Sequence, residues 1–195
     1  MSSSRRRAVC GAARMLTGLG VRVEVRTPAT AWPRTGTGLL LVTDTATALD
    51  PLALLTVVPG AVVAGVPDRL AGVPVPTVPA VPAGIAAHLR TGTTVAVRPG
   101  MGAPGPGRSS PALLTAAVDA GAAVCPVALR WHGAASPPPA GRSTVAAMRW
   151  LAASPGAVVE VHLLPALSPA GATAQELATA AEYAVAAVLE PTALM

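Results

Sequence analysis

Valines at 21, 23 and 25 alternate with Arg22, Glu24 and Arg26. That period of two predicts a strand with one face covered and the other in water. Residues 38–43 read Gly-Leu-Leu-Leu-Val-Thr without a polar break, which predicts a strand covered on both faces. Four more apolar runs of strand length lie at 61–65, 94–98, 123–129 and 158–163. Between the runs the pattern changes to that of helices, at 4–19, 51–57, 82–92, 110–121, 143–154 and 172–190. Asp50 followed by Pro51 predicts a helix with Asp50 as N-cap and proline in the first position. Thr173 and Glu176 have the spacing of a capping box, and Leu177, Ala181, Ala184, Val185 and Val188 fall on one helical face. Strands alternating with helices predict an α/β sandwich, a largely parallel sheet of about seven strands with flanking helices. The proline-rich pieces 66–82, 103–111 and 134–141 read as loops. No linker divides the chain and no repeat recurs, so residues 1–195 are expected to form a single domain.

Composition narrows the class. Apolar residues make up 52% and charged residues 12%, with no Phe, so the core must be built from small aliphatics. The formal charge is +5 with a pI near 10.9, and every cation is arginine. Such a balance draws a protein to anionic partners. Nucleic acid is the poorer fit, because one Tyr and three Trp make no base-stacking platform and no helix carries a dense arginine face. Cys10 and Cys125 form neither a disulfide framework nor a metal site, and Cys125 sits in an apolar run as a core residue would. A reducing cytoplasm is the simplest compartment. The basic start is not expected to act as a signal peptide, since Arg14 interrupts the apolar stretch after six residues. The uncharged run 51–67 contains Pro59-Gly60 and has prolines at both ends, so no membrane span is expected. The basic helix 4–19 either lies on an anionic membrane surface, at the inner face, or packs solvated on the domain.

The stretch after the fourth apolar run, Gly100-Met101-Gly102-Ala103-Pro104-Gly105, fits the dinucleotide pattern G-x-G-x-x-G. That chemistry needs a helix starting at the glycines, so that its N-terminus meets a pyrophosphate. Pro104 and Pro106 remove backbone donors, and no helix can begin before Ser109. Asp119, near the distance at which a ribose-binding acid is needed, falls in a helix. The loop is therefore a plain glycine-proline connection or the remnant of a different anion-binding loop.

A wider order of segments bears on that choice. A valine-arginine strand is followed by a strand running into Asp44-Thr45-Ala46-Thr47-Ala48-Leu49-Asp50-Pro51. Arg98-Pro99-Gly100-Met101-Gly102 comes later, then the alanine-rich 116–129 and a final strand at 158–163. This order resembles the lysophosphatidic acid acyltransferase family over roughly residues 15–190. The family's first block, Asn-His-x-Ser-x-x-Asp, meets residues 44–50, with Thr45 where the family has its histidine. The later block, Phe-Pro-Glu-Gly-Thr, meets residues 98–102 without its glutamate. The middle block has no counterpart in the proline-rich 66–81. The resemblance implies a glycerolipid acyltransferase-like sandwich. It also implies acyl transfer from acyl-CoA or acyl-carrier protein to 1-acylglycerol 3-phosphate, with no bound cofactor and no metal. Arg98, Gly100, Gly102 and Arg108 are then the candidates for holding the substrate phosphate.

Such a transfer needs a base to take the hydroxyl proton as oxygen attacks the thioester. A threonine hydroxyl is too weak a base, so activity is expected to be lost or weak. The alternative is a non-catalytic relative that binds lipid, a membrane surface or a partner. Of the three histidines, His88 reads as a surface or packed helical residue and His162 as a satisfied sheet residue. His132 follows an apolar strand and should emerge at its carboxyl end, the edge where α/β sheets bind ligands, so it is a candidate for a substitute base or a phosphate contact.

Overall fold

The computed structural model describes residues 3–28, 31–33, 36–44, 47–98, 111–133 and 143–189. The elements run α1 (Ser3–Gly18), β1 (Arg22–Arg26), β2 (Leu40–Thr43), α2 (Asp50–Val57), β3 (Val62–Ala64), β4 (Arg69–Leu70), β5 (Val73–Pro74), β6 (Thr77–Val78), α3 (Pro82–Arg90), β7 (Val95–Val97), α4 (Pro111–Ala120), β8 (Val124–His132), α5 (Thr144–Ala152), β9 (Val158–Leu163) and α6 (Ala174–Leu189). Seven strands make one sheet in the order β1-β9-β8-β2-β7-β3-β6. All its neighbours are parallel except β8 and β9, which pair antiparallel from Val127 opposite Leu163 to His132 opposite Val158. The mostly parallel α/β sandwich expected from the hydrophobic pattern is what forms.

Strand alternation sorts side chains onto two faces. Leu41, Val63, Ala96, Cys125, Val127, Leu129, Val159 and Val161 face α1, α2 and α5. Leu40, Val42, Val62, Val95, Val97 and Val124 face α3, α4 and α6. All four residues of β2 are buried, because this strand is central and has helices on both sides. Towards β9 and β1 the second face turns polar, carrying Arg130 and His132 of β8, Glu160 and His162 of β9, and Arg22, Glu24 and Arg26 of β1. β1 is a sheet edge, so its half-exposed pattern follows, with Val25 45% exposed. The capping box before α6 forms as its spacing predicts: the Thr173 amide and hydroxyl donate to Glu176 Oε2 at 2.7 and 2.9 Å, and the Glu176 amide donates to Thr173 Oγ1 at 3.2 Å.

The proline-rich stretch 66–82 is not all loop. β4 and β5 form a small hairpin, and β6 adds the outermost strand beside β3. Prolines survive there because each piece is two residues long and their carbonyls are used rather than N–H groups: Pro76 O accepts from the Val63 amide at 2.8 Å. Ala71 and Gly72, which join β4 to β5, have φ of 49° and 80°, the double positive turn that suits tight hairpins but strains alanine. At the start of β2 the constraint is contact. The Gly38 amide donates to Leu89 O at 2.7 Å, and a Cβ at Gly38 would lie 2.0 Å from Thr93 O.

Two substitutions should therefore move stability in opposite directions in denaturant unfolding. Ala71→Gly releases about 1–2 kcal/mol of left-handed strain against about 0.5–1 kcal/mol of added chain entropy, so stability should rise by about 0.5–1 kcal/mol. Gly38→Ala drives a methyl into a backbone carbonyl and should cost about 3 kcal/mol, the upper end of overpacking.

Candidate functional site

β2 ends at Thr43, level with Val127 of β8, and the chain then turns into α2. Asp50 is the first residue of that helix, not its N-cap; Leu49 holds the cap position and makes no side-chain cap bond. The carboxylate instead reaches backwards. Thr47 donates its amide to Asp50 Oδ2 and its hydroxyl to Oδ1, both at 2.7 Å, while Thr47 Oγ1 accepts from the Leu49 amide at 3.1 Å. This closes the turn before the helix much as the Thr173–Glu176 pair does at α6. Asp50 and Thr47 are almost wholly buried, at 1% and 3% exposed.

A further donor comes from another element. β8 outruns β2 by residues 128–132, about 16 Å of strand. Trp131 lies on the face that looks to α2 and α5, and its indole Nε1–H donates to Asp50 Oδ1 at 2.9 Å. The ring meets Trp150 of α5 edge-on, with centroids 5.2 Å apart and planes at 78°, a favourable arrangement of aromatic quadrupoles.

Arg98 follows the last residue of β7. It shares a crevice with Asp50, whose walls include Thr43, Pro51 and Leu129 and which is too narrow for a water-sized sphere. Thr43 Oγ1 donates to Val97 O at 3.2 Å, tying β2 to β7 at the mouth. Thus Asp50 and Arg98, distant in sequence, come together at the carboxyl edge of the parallel strands, where α/β folds bind ligands. Thr45, Gly100, Gly102 and Arg108 lie outside the described residues.

His132 is at the end of β8, but strand alternation turns it to the face opposite Trp131 and Asp50. Its Nε2 lies 3.0 Å from Glu160 Oε2, His162 Nε2 lies 3.2 Å from the same oxygen, and Arg26 Nη2 donates to Glu160 Oε1 at 2.9 Å. His162 is thus a satisfied sheet histidine, and His88 is exposed on α3. The Arg26 guanidinium first, and the His132 bond second, pull the Glu160 carboxyl down to about 2. Burial pushes the Cys125 thiol up to about 12, that of an unreactive core residue. Among the described residues no three His, Cys, Asp or Glu side chains are placed to hold a metal ion. A roomier cavity, about 720 Å³, opens at the other end of β8 between Val118, Ala123, Leu167 and Pro169. Among the described residues no titratable side chain lines it.

Three residues of this constellation escaped the sequence reading. Thr47 had a signal: Thr-x-x-Asp before an apolar run is itself a capping-box spelling. Trp131 and Glu160 had none, since their partners are 81 and 28 residues away.

The depressed Glu160 carboxyl makes a pH prediction. A carboxylate whose folded pKa lies below its ordinary value near 4.5 stabilises the fold above that value and loses the contribution as pH falls towards 2. The stability gap between wild type and Glu160→Gln, measured by urea unfolding, should be constant at neutral pH and shrink between pH 4.5 and 2.

No family model matches the chain, and no curated protein sequence does. Among solved structures it is similar to the 1-acyl-sn-glycerophosphate (LPA) acyltransferase PlsC from Thermotoga maritima, with a TM-score of 0.68 and 19% identity over 98% of this chain and 81% of that one. The sandwich that carries Asp50 and Arg98 to one sheet edge is therefore the PlsC acyltransferase fold.

Proposed function

We propose that this chain is a phospholipid acyltransferase by descent, built to transfer an acyl group from acyl-CoA or acyl-carrier protein to 1-acylglycerol 3-phosphate, and that its turnover is weak or lost. One observation carries the reading. On a fold similar to that of an LPA acyltransferase, a buried aspartate opens the helix after a central strand and shares a crevice with an arginine. In the reaction the acceptor hydroxyl attacks the thioester carbonyl. The C–O bond forms, the C–S bond breaks, and the hydroxyl proton passes through a base to the departing thiolate. In this reading Asp50 would orient a base at position 45, where this chain has Thr45. A positioned general base contributes roughly 10²–10⁴ in rate. Arg98, with Arg108 and the glycines at 100 and 102, is assigned to the substrate phosphate.

The test is thiol release from acyl-CoA with lysophosphatidic acid as acceptor. Wild type should run at or near background, Thr45→His should gain about 10²-fold or more, and Thr45→His with Asp50→Asn should fall back. Brisk wild-type turnover would overturn the loss of activity. A silent Thr45→His variant that also fails to bind lysophosphatidic acid would overturn the assignment itself.

A second reading, a non-catalytic protein held at a membrane surface at the inner face, is favoured by α1. Its Ala8, Ala12 and Leu16 are spent in the core, while Arg6, Arg7 and Arg14 stay exposed. No described helix is long and apolar enough to cross a membrane. Any lipid contact by α1 would then be electrostatic, without insertion of an apolar face. Co-sedimentation with phosphatidylserine vesicles should be abolished by high salt and by replacing Arg6, Arg7 and Arg14 with alanine; binding that persists in either condition sinks this reading.

A further inference from the structure

Among the described residues, the last five residues of β8 pair with no strand on the β2 side, because β2 stops at Thr43. Among those residues β9 alone pairs with them, as far as His132 opposite Val158. Strand ends paired on one side open easily. Yet this end supplies the Trp131 N–H to a carboxylate that is 1% exposed. Something must hold it.

We propose that His132 is a positioning residue for the Asp50 site: by fixing the free end of β8 to Glu160 on one face of the sheet, it keeps the Trp131 indole on Asp50 on the other. The two residues are sequence neighbours on an extended strand, so they project to opposite faces and bind acids on opposite sides. Glu160 is a firm post. Arg26 of β1 holds its Oε1 at 2.9 Å and His162 approaches its Oε2 at 3.2 Å, both without help from β8. Glu24 reaches the same group through Arg26, with Arg22 on its other oxygen, and Arg130 stands across from Glu160 in register. Directly after His132 the chain leaves the strand through Gly133, at φ 75°, where an added Cβ would stand 3.2 Å from Gly156 O. The His132 contact is therefore the last side-chain restraint on β8 before a tight backbone crossing. Loss of it frees the strand end, while Glu160 stays anchored.

The inference concerns the Asp50 site of the proposed function and rests on that reading only for the site's importance; its test needs no turnover. In the ¹⁵N-labelled full chain, solvent exchange is followed at the Trp131 indole N–H and the Thr47 amide. His132→Ala, at a residue whose side chain is 41% exposed, should leave the circular dichroism unchanged and speed both exchanges by about tenfold, the scale of one lost charge-assisted hydrogen bond. His132→Gln, which retains a side-chain N–H donor, should recover much of the protection. Arg26→Ala, which loosens Glu160 from the β1 side but leaves the His132 contact in place, should speed both exchanges by clearly less than His132→Ala does. Unaltered exchange in His132→Ala, or an equal rise in Arg26→Ala, would show that β8 holds Trp131 without His132 and would overturn the proposal. A silent Thr45→His enzyme would count against the proposed function and leave this result untouched.

Discussion

A carboxylate cannot sit inside an apolar core unless its oxygens are satisfied, and the edge of this sheet is organised around meeting that demand for Asp50. Thr47 meets part of it from the preceding turn and Trp131 another part from β8. The consequences reach outward. The turn 47–50 closes, α2 starts at a defined point, and β8 is drawn past the end of β2 to bring the indole within reach. Trp150 of α5 backs the indole ring, so a second helix takes part in holding one acid.

The sheet divides its work along its width. Its middle strands are covered on both faces and carry the core. At the β9–β1 side one face becomes polar, and Glu160 gathers His132, His162 and Arg26 there. The charge cluster sits where the sheet ends, and it steadies strands that lack a full set of neighbours. An edge strand with alternating arginine and glutamate is also a poor template for further strand addition.

These arrangements give Asp50 a structural role of its own, independent of any chemistry at the site. In an enzyme of the proposed kind the aspartate would serve the base. Here it also closes a turn and anchors a tryptophan, and its replacement would leave a buried amide, hydroxyl and indole N–H short of an acceptor. The structural role is sufficient by itself to account for Asp50, so the presence of the acid is no measure of activity.

Much of the architecture was legible in the residue order, because it rests on local rules. Valine alternation marked β1, the unbroken Leu-Leu-Leu-Val run marked a doubly covered β2, and Thr173 with Glu176 marked the start of α6. The same local rules misled where two features competed: Asp50 looked like an N-cap because Pro51 follows it, yet the cap position belongs to Leu49, and prolines masked three short strands in 66–82. What tertiary structure alone decided is which distant groups meet and which face each side chain takes. Trp131 and His132 are adjacent in sequence, and only the register of β8 against β2 and β9 sends one to Asp50 and the other to Glu160. Periodicity encodes which residues seek the interior, since burial depends on each residue's own chemistry; the pairing of polar groups depends on strand order and register, which are set by the packing of the whole chain.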